Sequence, residues 1–310
     1  MRKLPAITNE PTVVGLGEIL WDLLPSGRQL GGAPANFAYC SHLLGNRAHV
    51  ASRIGADQLG HDIRRHLAKA GLGEEFLQID SVQPTGIVRV QLDGSGQPKF
   101  EITQPVAWDF LEWTDEWKTL ARSADAVCFG SLAQRSAQSR ATILNFLRAT
   151  RTDCLRVFDV NLRQNFYSAE IICESLQFAN VVKLNHEEVP RVEQLLDTND
   201  PTEISFARNL VSNFDLKFAC VTRGSEGSLL CDGSSINEHA GLRVRVKDTI
   251  GAGDAFTSGL VHGALRGWSL AEMNDCANRM GAWVASHSGA MPERPRRGLE
   301  AALADVGGSC

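Results

Sequence analysis

The sequence predicts an α/β fold with a mainly parallel sheet and helices on both of its faces. Short apolar runs typical of buried strands alternate with longer helical segments along most of the 310 residues. Repeated β–α units of this kind form parallel sheets that are covered on both faces. One segment, 84–105, has the pattern of a hairpin instead. We therefore expect a single domain over 1–310 that carries a separate small β element.

Composition and charge argue against several functional classes. A net charge of −5 disfavours nucleic acid or an anionic membrane as the main partner. No apolar run approaches the roughly 20 residues that a membrane span needs, and the segment 1–5 lacks the apolar core of a secretory signal. The eight cysteines and eight histidines form no metal-binding spacing. We expect a cytoplasmic protein with reduced thiols.

The first strand is predicted at 12–18, and Asp22 follows it between Trp21 and Leu23. An acid at this place is either a turn former or a group that holds a hydroxyl. Next, the glycines at 31–32 precede a helix that opens around Pro34 and runs to Gly45. Asn36, on an early turn of this helix, is either a capping group or a substrate contact.

The chain then alternates between strands and helices. A strand at 48–54 leads to a helix with Asp57 as its N-cap. After the hairpin, whose turn is Asp93–Gly96, further strands are predicted at 126–130, 155–160, 181–184 and 217–222. Ligands of such sheets bind beyond the carboxyl ends of the strands. The polar residues there form one predicted rim with Asp22; they are Asp159, Asn161, Arg163, Asn185, Glu188, Thr222, Arg223, Gly224 and the segment 248–254.

The segment 248–254 carries the strongest chemical signal. It lies between a predicted strand at 242–247 and a predicted helix at 255–265. Backbone N–H groups are free at the start of a helix and attract anions such as phosphate. Gly251, Ala252 and Gly253 have no bulk that would block such an approach. The segment therefore predicts an anion-binding turn.

Asp254 is predicted to lie in the first helical turn, beside this anion. A carboxylate there would repel a phosphate unless it takes a proton from the group that attacks the phosphate. The alternative is a tight turn followed by an ordinary first-turn acid, which the helix dipole stabilises. On this segment alone, the two interpretations are about equally supported.

Taken in order, these segments resemble the ribokinase-like (pfkB-type) sugar kinase family over nearly the whole chain. Two signatures carry the resemblance, GGAPANFA at 31–38 and DTIGAGD at 248–254. Between them, NHEE at 185–188 is similar to the family's N-x-x-E element, and TRGSEG at 222–227 to its nucleotide loop. The resemblance implies a three-layer fold with a small β-sheet lid over the sugar, built from segments near 22–33 and 84–105.

The resemblance also implies roles for the matching residues. Asp254 corresponds to the catalytic base that deprotonates the sugar hydroxyl, and Gly251, Ala252 and Gly253 correspond to the anion hole. Asp22, Gly32 and Asn36 correspond to sugar-binding positions. Together with Asn161 and Arg163, they offer acceptors, amides and a guanidinium that could bracket a polyol.

On the nucleotide side, the resemblance implies ATP and Mg²⁺ as cofactors. Asn185 and Glu188 correspond to residues near the phosphates and the magnesium, with Glu188 acting through water. The nucleotide-binding positions are Thr222, Gly224, Gly227 and, where the adenine pocket closes, Asn278. A potassium ion beside the anion hole would be held partly by Asp248. A lid edge in this family often pairs with another subunit, so the resemblance allows a homodimer.

Within the family, the segments 17–22 and 159–163 are most similar to fructokinases, which favours D-fructose as substrate. A kinase for another ketose or for 2-keto-3-deoxygluconate is the alternative. From a different class, a non-catalytic sugar- or nucleotide-binding protein on the same fold is disfavoured, because the base and the anion hole are intact. A dinucleotide-dependent oxidoreductase is excluded, since no G-x-G-x-x-G follows the first strand.

Overall fold

A computed structural model describes residues 10–24, 27–92, 98–296 and 298–307, in which thirteen strands form two sheets. The strands are β1 (Thr12–Leu16), β2 (Leu20–Leu24), β3 (Gly27–Gly31), β4 (Arg47–Gly55), β5 (Leu77–Asp80), β6 (Gly86–Leu92), β7 (Pro98–Ile102), β8 (Ala126–Gly130), β9 (Leu155–Asp159), β10 (Val181–Asn185), β11 (Phe218–Thr222), β12 (Ser228–Cys231) and β13 (Ile236–His239). The helices are α1 (Ala33–Leu43), α2 (Gln58–Lys69), α3 (Asp115–Ser123), α4 (Ala137–Ala149), α5 (Ala169–Phe178), α6 (Val189–Leu196), α7 (Glu203–Phe214), α8 (Ala252–Ala264), α9 (Leu270–Ala285) and α10 (Leu299–Ala304).

The large sheet has nine strands in the order β13-β12-β11-β10-β9-β8-β1-β4-β5. Seven of them, from β11 to β5, run parallel, and β12 and β13 add an antiparallel edge. This confirms the predicted α/β fold, and the carboxyl ends of the parallel strands meet at one edge. Among the described residues, no helix is both long and apolar enough to cross a membrane.

Successive residues of the buried strands point to opposite faces of the large sheet. In β1, Val13 belongs to the apolar cluster that includes residues of α8 and α9, whereas Val14 belongs to the cluster that includes residues of α3, α4 and α7. In β8, Cys128 and Phe129 divide in the same way. The continuous apolar runs in these strands therefore reflect a three-layer arrangement in which helices cover both faces.

Helix boundaries follow the expected end signals. The side chain of Asp57 accepts a hydrogen bond from the N–H of Gly60 at 2.8 Å, so the predicted N-cap of α2 is confirmed. Pro34 lies in the first turn of α1, and Gly45 follows the helix with φ of +83°, a conformation that glycine adopts without strain.

The small sheet has the order β3-β2-β6-β7. Its two outer pairs are antiparallel, and its central pair, β2 with β6, is parallel. This confirms the predicted small β element, although the turn at 93–96 lies outside the described residues. β2 follows β1 after three residues, so the small sheet begins directly at the carboxyl edge of the large one.

The predicted strand at 242–247 is wrong. The segment alternates apolar and basic residues, but Val246 is 57% exposed and none of the described strands pairs with the segment. Instead, Lys247 donates its N–H to the carbonyl of Ala285 at the end of α9. The edge of the large sheet is formed by β12 and β13, a short hairpin that the sequence pattern did not reveal.

Candidate active site

Helix α8 begins at the carboxyl edge of the large sheet, and Asp254 lies in its first turn as predicted. Gly251 caps the helix in the left-handed region with φ of +77°, and a Cβ there would lie 2.7 Å from the Cα of Ala290. Both the backbone conformation and the close approach of the neighbouring loop therefore require glycine. A Cβ on Gly253 would lie 3.2 Å from Nζ of Lys183, so a buried cation adjoins this turn.

Some backbone N–H groups of the turn at 251–254 already have a hydrogen-bond acceptor within the protein, and others do not. Ala252 donates its N–H to the carbonyl of Thr249 at 3.2 Å, which corrects the expectation that this group is free for an anion. In the described part of the chain, the N–H groups of Gly251, Gly253 and Asp254 have no backbone or side-chain acceptor. These three donors at a helix start suit a phosphoryl group.

Asn36 holds the carboxylate of Asp254. Its Nδ2 donates to Oδ2 of Asp254 at 2.8 Å and so joins α1 to α8 across 218 residues of sequence. Asn36 is only 3% exposed, and its own Oδ1 is buried without a partner among the described residues. It is therefore not a helix cap; it orients Asp254 and keeps one acceptor open.

Burial, rather than the helix dipole, determines the direction of the pKa shift of Asp254. Burial raises the pKa from 3.8 to about 6, and the negative charge of Asp159 adds to this, while the Asn36 hydrogen bond, Lys183 and Arg163 oppose it. Loss of water outweighs the partial charge of the helix terminus here. A carboxylate with this pKa is mostly ionised at neutral pH and accepts a proton more readily than an ordinary aspartate.

A buried ion pair between Lys183 and Asp159 lies next to the turn at 251–253, on its interior side. Nζ of Lys183 lies 3.1 and 3.2 Å from the two carboxylate oxygens of Asp159, and Oγ1 of Thr257 lies 2.9 Å from Oδ2 of the same residue. Burial lowers the pKa of Lys183, but the charges of Asp159, Glu188 and Asp254 outweigh it and hold the pKa above its usual range. Sequence reasoning placed Asp159 on the rim and missed Lys183, although a lysine inside an apolar strand was the available signal.

Asp22 lies on β2, where the small sheet leaves the large one. A Cβ on Gly31 would collide with Oδ2 of Asp22, so the absence of a side chain at 31 gives this carboxylate its room. Burial raises the pKa of Asp22 to about 6, and the charge of Arg163 opposes the shift. Gly32 has φ of +107° and precedes α1 directly.

Arg163 connects the predicted sugar positions electrostatically. It is exposed, yet its positive charge lowers the pKa of Asp22, of Asp254 and of Glu18, so it lies near all three carboxyls. Asn161 precedes it with φ of +42° and is half-buried. The charge of Arg163 thus reaches Asp22 and Asp254, and Asn36 binds Asp254, so these four residues lie in one region of the structure.

Asn185 and Glu188 form a reciprocal clamp at the end of β10. The carboxylate of Glu188 accepts the N–H groups of Asn185 at 2.9 Å and of Leu162 at 2.7 Å, while Oδ1 of Asn185 accepts the N–H of Glu188 at 2.9 Å. Glu188 is 6% exposed, and burial raises its pKa while Lys183 opposes the shift. With both of its oxygens occupied, Glu188 suits a metal contact through water rather than direct ligation.

The predicted nucleotide loop lies between β11 and β12. Gly224 and Gly227 have φ of +59° and +83°, and Arg223 donates its N–H to the carbonyl of Gly227 at 2.7 Å. Thr222 ends β11. Asn278 on α9 is 8% exposed, and its Nδ2 donates to Ser228 Oγ at 2.8 Å, so only its Oδ1 is left for a nucleotide.

Asp248 ties the turn to a neighbouring loop. Its Oδ1 accepts the N–H of Ile250 at 3.0 Å, and its Oδ2 accepts the N–H of Gly289 at 3.0 Å. In the residues that the structure describes, no three His, Cys, Asp or Glu side chains are grouped as a metal site. A magnesium ion near Glu188 would take most of its oxygen ligands from phosphates and water, as is usual for this ion.

A cavity of about 610 Å³ lies behind β2 and β3, against α1 and α2. Its lining includes Trp21, Arg28, Tyr39 and Lys69, and neither Asp22 nor Asp254 lines it. Large cavities are common ligand sites, but they need convergent polar groups to do chemistry. Since neither Asp22 nor Asp254 lines this cavity, it is separate from the buried carboxyls and the open N–H donors at the start of α8.

Comparisons with known proteins agree with this geometry. The family model described as pfkB family carbohydrate kinase matches residues 27–297. A fructokinase of Escherichia coli is 32% identical over 307 residues, which cover 91% of this chain and 95% of that protein. A protein of Pyrococcus horikoshii described as an uncharacterized sugar kinase, also solved with ATP, has a TM-score of 0.78 at 28% identity; the match covers 90% of this chain and 93% of that one.

A third relative is a fructokinase of Vibrio cholerae, solved with fructose, ADP and calcium. Its TM-score is 0.78 at 26% identity, and the match covers 95% of this chain and 98% of that one. The signatures, the fold and these similarities all agree. The chain belongs to the pfkB family of carbohydrate kinases, and within it is most similar to fructokinases.

Proposed function

We propose that this protein transfers the γ-phosphoryl group of ATP to the 6-hydroxyl of D-fructose. The observation that carries the proposal is the bond between Asn36 and Asp254, which fixes a proton-accepting carboxylate beside three open N–H donors at the start of α8. Such a pairing of base and anion site is what phosphoryl transfer to an alcohol needs.

In the proposed step, Asp254 accepts the proton of the attacking hydroxyl while the O–P bond forms and the bond from the γ-phosphorus to ADP breaks. A pKa of about 6 leaves Asp254 ionised in most molecules at neutral pH. The hydrogen bond from Asn36 holds Oδ2 of Asp254 in place, which leaves Oδ1 of Asp254 to accept the proton of the hydroxyl. The base is therefore oriented before the sugar binds.

The N–H groups of Gly251, Gly253 and Asp254 would stabilise the charge on the transferred group. The Asp159–Lys183 pair supports this turn from the interior. Magnesium, when bound with ATP, would neutralise phosphate charge, and Glu188 would reach it through water. Asn185 would lie near the phosphates, and Thr222, Gly224, Gly227 and Asn278 would contact the nucleotide. Potassium beside Asp248 is part of the same proposal.

For the sugar, we propose that Asp22, Gly32, Asn36, Asn161 and Arg163 bracket the hydroxyls. Fructose is favoured because the E. coli and V. cholerae relatives are fructokinases and the latter was solved with fructose and ADP. We also propose that the small sheet, with its segments 22–33 and 84–105, acts as a lid that excludes water as a competing acceptor. Its position directly after β1 supports this role.

A screen of ADP release tests the proposal. The purified protein is assayed with ATP and magnesium against ketoses, aldoses, keto-sugar acids and nucleosides, and fructose should give the highest kcat/KM. A preference for 2-keto-3-deoxygluconate or for a nucleoside would overturn the substrate and keep the reaction. No ADP release above the background with any acceptor would contradict the reaction itself.

A further inference from the structure

The carboxyl of Glu18 lies within electrostatic reach of Asp254 and Arg163, and no role assigned so far includes it. It is located in the short link between β1 and β2, is 3% exposed, and its Oε2 is buried without a partner among the described residues. Its carbonyl crowds Gly32, where a Cβ would approach the Glu18 carbonyl carbon to 3.1 Å. A buried carboxyl oxygen without a hydrogen bond destabilises the fold, and such an atom in a native protein usually has a partner.

The surroundings of Glu18 favour its neutral form. Burial raises its pKa to about 7; the charge of Asp254 on α8 adds to this, and its own N–H, Arg163 after β9 and the N–H of Ala33 on α1 oppose it. The thiol of Cys128 on β8 is also within its electrostatic reach. Glu18 therefore holds its proton to higher pH than Asp254 does, so near pH 6.5 the neutral form of Glu18 and the ionised form of Asp254 both predominate.

A second buried polar atom, next to the carboxylate of Asp254, also lacks a partner among the described residues. Oδ1 of Asn36 is buried without a partner, while the Nδ2 of that residue holds Asp254. Hydroxyl groups of a polyol both donate and accept, so they could satisfy Asn36 Oδ1 and a protonated Glu18 together. An ionised Glu18 could only accept, and it would add a second negative charge beside Asp254.

We propose that Glu18 contacts the sugar directly and, as a neutral carboxylic acid, donates a hydrogen bond to it next to Asp254. The inference rests on the proposed sugar kinase function and deepens it, because it adds a contact that selects for polyols at this site. Neutral Glu18 also leaves Asp254 as the sole ionised partner of the attacking hydroxyl.

The test compares Glu18→Gln and Glu18→Ala with wild type in ADP-release assays on fructose from pH 5.5 to 9. Glutamine keeps a neutral donor, so we expect kcat/KM for fructose at pH 6.5 within about threefold of wild type. Alanine should lose at least about tenfold, as for a lost buried hydrogen bond, with the KM for ATP little changed. Wild-type kcat/KM should decline above about pH 7, where Glu18 ionises, and Glu18→Gln should not show this decline.

Glu300→Gln, an exposed first-turn acid of α10, makes the same chemical change away from the site and should behave as wild type. An active wild type with an equally active Glu18→Ala would overturn the inference. So would a Glu18→Gln enzyme as weak as Glu18→Ala at pH 6.5, since it would show that the ionised carboxylate is needed. If Glu18→Ala does not fold, the pH profile of Glu18→Gln tests the inference: a decline of kcat/KM above about pH 7 equal to that of wild type would overturn it. A wild type inactive on every sugar would instead refute the proposed function and, with it, this inference.

Discussion

At Asp22, a neighbouring glycine and a neighbouring charge determine the position and the ionisation of a single side chain. Its carboxylate lies on β2 in the room left by Gly31, and the charge of Arg163 acts on it. Charge-assisted bonds from a carboxylate to hydroxyls are among the stronger hydrogen bonds in proteins. Asp22 should therefore contribute to sugar affinity and not to nucleotide affinity.

Asp22→Ala should raise the KM for fructose by about 10- to 150-fold, equivalent to roughly 1.5–3 kcal/mol of lost interaction. The KM for ATP should change by less than about twofold, because the proposed nucleotide contacts come from other segments. Steady-state kinetics with each substrate varied in turn measures both values. Asp115→Ala, which removes an exposed acid on α3, serves as the control. Normal saturation by fructose in Asp22→Ala would show that Asp22 does not contact the sugar.

At the residue scale, the sequence predicted the position of Asp254 but not its environment. The motif placed it in a first helical turn, which the structure confirms. Its partner Asn36 is 218 residues away, and no local pattern encodes that contact. Its pKa also depends on burial by the assembled fold, which a helix-dipole argument ignores. The sequence therefore could not predict the burial of Asp254 by distant segments or the resulting shift of its pKa.

At the scale of elements, prediction succeeded where apolar runs are buried on both faces. The strand at 126–130 was predicted with the bounds that the structure gives it, because all five residues of β8 are buried. The segment 242–247 failed because alternation alone does not make a strand; a strand also needs a neighbour to pair with. β12 and β13 supply that edge instead, and their four-residue runs were too short to recognise.

Another element-scale feature is the junction of the 248–251 turn with the loop at 286–290. Asp248 binds the N–H of Gly289, and Ala290 packs on Gly251, so an ion at this junction would act on the anion hole. We predict modest activation by potassium over sodium or lithium, measured as kcat with fructose at matched ionic strength. Equal kcat values in potassium, sodium and lithium salts would contradict a potassium site at this junction.

At the scale of the whole molecule, the site makes folding less favourable at neutral pH. The folded-state pKa of Asp254, about 6, lies above its ordinary value of 3.8. The unfolded chain therefore releases this proton at lower pH than the folded protein does. Ionisation of Asp254 then costs folding stability, a cost that is complete above about pH 6 and absent below about pH 4.

Asp254→Asn removes this cost, so the variant should be more stable than wild type at pH 8 by about 1–2 kcal/mol. The difference should narrow as the pH falls from 7 to 5. Thermal or denaturant unfolding of both proteins across this range measures it. A variant less stable than wild type at pH 8, or a difference independent of pH, would contradict the raised pKa.

The measurement that tests the central claim most directly is kcat of Asp254→Asn with fructose and ATP. Asparagine keeps the shape and removes the proton acceptor, and general-base catalysis contributes typically about 10²–10⁴-fold. We predict a loss of at least about 10²-fold in kcat, with ATP affinity unchanged or slightly improved. Asp115→Asn, an exposed first-turn acid on α3, should keep wild-type kcat. A folded Asp254→Asn protein that retains more than about a tenth of wild-type kcat would contradict both the assignment of the base and the mechanism.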